Sequence, residues 1–203
     1  MSRELEQSDS DKRSRHIALV LAGIGVLVAG ITPVIYYLLR DHVRPWNMTI
    51  IGAIGIFAAA RLGFWWGVGF VGLSIGFKDL SIYLTRDWHP DPLSWLYFIA
   101  YVGIGWVFLR QNSSRTRIAA SALTGSLVFF LVTNFTSWLE LRTLYENSLS
   151  GLLDCYAAGV PFLKGTILGD LAFTGLLFAT HAELSRVYSS KKQPIAINTS
   201  EKP

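Results

Sequence analysis

Thr49-Ile-Ile-Gly-Ala-Ile-Gly-Ile-Phe-Ala-Ala-Ala-Arg61-Leu-Gly-Phe-Trp-Trp-Gly-Val-Gly-Phe-Val-Gly-Leu-Ser-Ile-Gly-Phe77 is the stretch on which the fold turns. It is apolar throughout except for one charge, Arg61. A hydrocarbon core of about 30 Å takes roughly 20 helical residues at 1.5 Å each. The run is therefore one overlong helix with a buried arginine, or two short helices meeting in a tight turn at Arg61. Lysines and arginines decide between them, because they are retained in short cytoplasmic loops. With the run divided and the N-terminus inside, the inner segments hold twice as many of these residues as the outer ones. Left undivided, the two sides come out nearly equal. A charge at mid-bilayer also costs about 2.5 kcal/mol or more on insertion scales. The divided reading gives an all-α membrane protein, a six-helix transmembrane bundle with both termini cytoplasmic.

Composition supports a lipid environment. Of 203 residues, 51% are hydrophobic and only 16% are charged, with a mean hydropathy of +0.39. A soluble domain carries about 25% charged residues to keep its surface wetted. The single cysteine, Cys155, forms no intrachain bridge, and no zinc-type Cys/His cluster accompanies it. A net charge of +4, scattered along the chain, gives no nucleic-acid footprint. The partners expected are the bilayer and a small solute, in a cell inner (cytoplasmic) membrane.

The other spans are expected at 17–39, 93–109, 118–139 and 163–182. Residues 149–160 are apolar but short, which suggests an interfacial or re-entrant segment. The membrane domain is then 17–184, between disordered tails at 1–16 and 185–203. The apolar run at 17–39 is too long for a signal-peptide core and lacks an A-x-A-like cleavage site. Trp46, Trp88, Trp95 and Trp138 sit at the outer interface in this topology, and Trp65, Trp66 and Trp106 toward the inner one.

Direction along the helices brings polar residues to one depth. Lys78 and Asp79 lie near the outer end of helix 3, with Tyr83 on the Asp79 face at i,i+4 spacing. Thr133, Asn134, Ser137 and Trp138 fill the last turns of helix 5. Thr166, Asp170 and Thr174 form a stripe on helix 6. Tyr97 and Tyr101 on helix 4 and Tyr36 and Tyr37 on helix 1 add to the set. Ionisable residues in spans usually face a bundle interior or a wet cavity, so Asp79, Asn134, Trp138 and Asp170 are expected to line an outward-facing pocket. The connections at 78–92 and 140–162 would serve as lids. Each residue has a plainer alternative. Lys78 and Asp79 can end a helix in the headgroups, Asn134 can bridge helices, and Asp170 can pair with Lys78 or Lys164. His89 and Asp91, each followed by a proline, can shape a turn.

Small residues recur on helix 1 (Ala18, Ala22, Gly25, Ala29), helix 2 (Gly55, Ala59) and helix 3 (Gly72, Gly76), a spacing that lets helix backbones approach closely. Catalytic motifs are missing from the sequence: no phosphate-binding Gly-x-x-x-x-Gly-Lys-Ser/Thr, no His-Glu-x-x-His, no Gly-x-Ser-x-Gly. No enzymatic activity, metal or cofactor is expected. A serine–histidine pair built on His181 lacks an obvious serine to meet it. Asn47-Met-Thr is a formal glycosylation sequon of a kind common by chance.

Several segments resemble an uncharacterised bacterial membrane family that carries a transport-protein label. They are Arg44-Pro-Trp-Asn47, Ile51-Gly-Ala-Ile-Gly-Ile-Phe-Ala58, Phe77-Lys-Asp79-Leu and Gly125-Ser-Leu-Val-Phe-Phe-Leu-Val-Thr-Asn134-Phe-Thr-Ser-Trp138. To these are added Gly151-Leu-Leu-Asp-Cys155-Tyr156, Pro161-Phe162 and Gly169-Asp170-Leu, so that the likeness covers roughly 17–184. That family is distantly similar to the substrate-capturing S components of energy-coupling factor vitamin transporters. The resemblance implies six helices, cytoplasmic termini and an outward pocket capped by outer loops. It also implies a membrane coupling subunit that docks on an Ala-x-x-x-Ala pattern and two partner ATPases. Ala18-Leu-Val-Leu-Ala22 matches that docking pattern.

Overall fold

The computed structural model describes residues 2–39, 47–86 and 93–190. Six helices follow one another: α1 (Ser2–Leu38), α2 (Ile51–Leu62), α3 (Phe64–Arg86), α4 (Ser94–Leu109), α5 (Arg115–Glu140) and α6 (Leu149–Ser190). Among the described residues there is no strand.

The 49–77 run is two helices. Its break falls just beyond Arg61, at Gly63, whose φ of +111° lies where side chains are strained and glycine is not. Gly63 caps α2 by donating its N–H to the Ala59 carbonyl, as glycine does at many helix ends. Arg61 thus sits in the last turn of α2, exposed, with its guanidinium 4.9 Å from the centre of the Phe178 ring.

α2 is the axis of the molecule. Every residue from Ile51 to Ala60 is buried, and the other five helices all pack on it. A helix that is apolar on all sides belongs inside, and α2 has no polar side chain before Arg61. Glycines let its neighbours close in. A Cβ at Gly105 of α4 would run into the Ile56 backbone, and one at Gly25 of α1 would reach 2.8 Å from the Ile54 side chain.

Four helices contain segments long and apolar enough to cross a bilayer: Gln7–Leu38, Phe64–Thr85, Arg115–Glu140 and Leu149–Ser189. α2 and α4 are shorter, with 12 and 16 residues, about 18 and 24 Å of helix against a core of about 30 Å. Exposed apolar side chains recur at helical spacing, as with Val20, Ile24, Leu27, Ile31 and Ile35 on α1 and Leu127, Leu131 and Phe135 on α5. Such continuous apolar faces are what acyl chains cover. The chain is an all-helical membrane protein.

Two expectations about segment boundaries change. Residues 149–160 do not form a separate element: they are the first turns of α6, which continues through Pro161 as one 42-residue helix. The N-terminal segment is helical from Ser2, not disordered, as part of α1. It is tied to the far end of α6, where His181 Nε2 lies 3.0 Å from the Ser14 carbonyl. α6 likewise runs to Ser190, and residues 191–203 lie outside the described residues.

Candidate functional site

The strongest polar residue of the sequence, Asp170, lies in the centre of the bundle. It is 1% exposed. Its Oδ2 accepts hydrogen bonds from Tyr101 Oη of α4 at 2.6 Å and from Ser126 Oγ of α5 at 2.7 Å. Three helices are thereby tied at one atom. The tie needs flat neighbours. A Cβ at Gly52 of α2 would stand 2.9 Å from Asp170 Oδ1, and one at Gly125 would stand 2.5 Å from the Tyr101 ring. Among the described residues neither Lys78 nor Lys164 pairs with Asp170; its partners are two neutral hydroxyls. It is not among the residues that line the nearby cavity.

The cavity lies one turn above, beside Thr166. It has a volume of about 300 Å³ and is walled by the end of α5, the first half of α6 and Asn47 of the α1–α2 connection. Its polar side chains are Asn47, Thr133, Asn134, Ser137 and Thr166, and its rings are Phe129, Phe130 and Phe162. Asn47 donates from Nδ2 to Thr166 Oγ1 at 3.1 Å. Its φ of +55° is one that asparagine tolerates better than most residues, so the backbone is bent to bring this carboxamide to the wall. Asn134 donates from Nδ2 to the Phe130 carbonyl at 2.8 Å, and its Oδ1 rests against Gly159. The two helices are pinned beside it, with Tyr156 Oη donating to the Leu131 carbonyl at 2.8 Å and Cys155 Sγ lying 3.4 Å from the Asn134 carbonyl.

Of the expected site residues, Asn134 alone lines this cavity. Asp79 is held by its neighbour Lys78 in an ion pair of 2.8 Å, on a helix that among the described residues touches neither α5 nor α6. Tyr83 is 51% exposed on the same helix. Trp138 donates from its indole to the Glu146 carbonyl at 2.9 Å, which folds the α5–α6 connection rather than lining the space. Ala18 and Ala22 are both fully buried in the core, on a helix packed against α2, α3 and α6. The stripe expected to dock a coupling subunit is covered by this chain's own helices. The lid expected at 140–162 is reduced to the turn between α5 and α6, and His89 and Asp91 lie outside the described residues.

His181 does meet a serine: Ser14 Oγ lies 3.3 Å from its Nε2. The same nitrogen lies 3.0 Å from the Ser14 carbonyl. A carbonyl only accepts, so Nε2 carries its proton there and is not the acceptor that an activated serine requires. The contact ties α1 to α6.

Asn47 and Thr166 are the site residues whose importance the sequence concealed. Asn47 stood in a sequon common by chance, although it closes the Arg44-Pro-Trp-Asn47 segment. Thr166 stood in the α6 stripe, overshadowed by the carboxylate one turn on.

The fold and cavity define a class: a helical membrane protein with a small polar chamber between two long helices near one end of the bundle. The chain belongs to the family described as "Family of unknown function (DUF6580)", whose match spans residues 12–193. No curated protein and no solved structure matches it.

Proposed function

We propose that the protein captures a small solute in the chamber between α5, α6 and the α1–α2 connection, as the substrate-binding part of a transport process. One observation carries this reading. Five polar side chains converge on a cavity of about 300 Å³, and concave, partly polar pockets of this size are where small ligands bind. The chamber opens outward if both termini are cytoplasmic, as the lysine and arginine distribution indicates. The S-component resemblance expected from the sequence would fit a capture role, but no curated protein or solved structure matches the chain. The buried Ala18 and Ala22 also leave the docking pattern without a surface. Energy would come from partner ATPases that dock elsewhere or from an ion gradient.

A thermal-shift screen of metabolites on the purified protein tests this. The expected hits are lost in Asn134→Leu and kept in Asp79→Asn, because only the first residue lines the chamber. Hits indifferent to Asn134 would reject the site.

A second reading has its own support. Asp170, Tyr101 and Ser126 devote their hydrogen bonds to joining α4, α5 and α6, as expected of a scaffold whose polar residues lock helices together. On that reading no small molecule stabilises the protein.

A further inference from the structure

The chamber wall also narrows the chemistry of its ligand, an inference that rests on the capture reading. Among the described residues every polar side chain at the wall is uncharged. Asp170, Lys164, Lys78 and Asp79, among the described residues, are occupied or turned away. Asp170, one turn below Thr166, is 1% exposed. Lys164 is exposed on the outer side of α6. Lys78 and Asp79 offset one another on α3. Against the described wall a charged solute would lose hydration without gaining a counter-ion, which is costly. The chamber selects against formal charge, and the two carboxylates expected at the pocket, Asp79 and Asp170, are absent from its wall.

What the wall still offers follows from its hydrogen bonds. A carboxamide has one oxygen acceptor and two N–H donors. Asn47 uses one donor on Thr166 Oγ1, whose own hydrogen goes to the Phe162 carbonyl at 3.1 Å. Asn134 uses one donor on the Phe130 carbonyl, and Thr133 uses its hydrogen on the Phe129 carbonyl at 2.8 Å. Each asparagine therefore keeps an acceptor beside a donor. That pair is the complement of an amide or lactam edge, which presents a donor beside an acceptor. Phe129, Phe130 and Phe162 supply apolar ring surfaces on which a flat ligand packs well. The volume is at the small end for ligand cavities.

We propose that the chamber takes a small, flat, uncharged ring bearing an amide or lactam edge, read by Asn47 and Asn134. Calorimetric titration of the full chain in lipid nanodiscs with benzamide, benzoate and benzylamine tests it. These probes share one ring and differ in the charge and hydrogen-bonding of a single substituent. Benzamide is expected to bind about tenfold or more tightly than either ion. Asn134→Leu and Asn47→Gly, the latter keeping the backbone free to hold a positive φ, are each expected to weaken benzamide about five- to tenfold, the loss of one hydrogen bond or slightly more. Benzoate or benzylamine binding as well as benzamide would overturn the ligand class while leaving solute capture standing. Failure of all three to bind would also overturn the class. The metabolite screen then decides capture separately, and a screen without hits rejects both.

Discussion

The Asn134 carboxamide of α5 rests directly on Gly159 of α6: a single methyl at 159 would run into Asn134 Oδ1. The glycine lets one helix carry the polar group and the other leave room for it. Gly159→Ala is therefore expected to push the carboxamide off the wall. Overpacking of this kind costs about 1–3 kcal/mol, and ligand affinity should fall together with the unfolding temperature. Thermal unfolding and titration of the same preparation check it. Unchanged affinity would mean that Asn134 is not a ligand contact.

Tyr101→Phe removes one of the two hydrogen bonds to Asp170 Oδ2 and leaves the rings packed. Stability in detergent is expected to drop by about 1–3 kcal/mol, because a buried acceptor loses a partner. Ser126→Ala in the same background should show coupling, since both hydroxyls meet at one oxygen. Ligand affinity should hardly change, as Asp170 lies below the chamber. Denaturant unfolding of the four variants of the cycle measures both effects. Additive losses would contradict a shared acceptor.

Gly105→Ala tests the central position of α2. The added methyl would run into the Ile56 backbone, which cannot swing aside as a side chain can. A loss at or above the upper part of the 1–3 kcal/mol overpacking range is expected. Gly103→Ala, where a Cβ meets nothing within 4 Å, should be neutral. Equal behaviour of the two in thermal unfolding would contradict the α2–α4 contact.

Ala22→Leu distinguishes internal packing from partner docking. With Ala22 fully buried, the larger side chain is expected to destabilise the isolated protein by about 1–3 kcal/mol. If Ala22 instead faced another subunit, stability in detergent would be unchanged and only assembly would suffer.

The sequence revealed the six helices because hydropathy and Arg61 are strong, local signals. Gly63, two residues on, supplied the break. The continuity of α6 was obscured by Pro161, which usually interrupts a helix but here lies inside α6. The burial of α2 on every side was hidden, since apolar residues read alike whether lipid or neighbouring helices cover them. At the site, Asn134 was found because a polar residue in a span is expensive wherever it points. Asp79 and Asp170 drew attention for the same reason, yet the rotation of a helix about its axis is not written in composition. One carboxylate meets the adjacent lysine and the other two hydroxyls. Asn47 needed the backbone turn of the α1–α2 connection, a three-dimensional fact, to reach Thr166.

Cysteine accessibility in sealed, right-side-out vesicles tests the outward chamber most directly. In a Cys155→Ala background, Ser137→Cys, Asn134→Cys and Asp170→Cys are exposed in turn to a membrane-impermeant maleimide. Labelling of the first two from the outer side, with position 170 unreactive, is the expected result. Labelling only from the inner side, or silence at 134 and 137 in folded protein, would contradict a water-filled chamber open to the exterior.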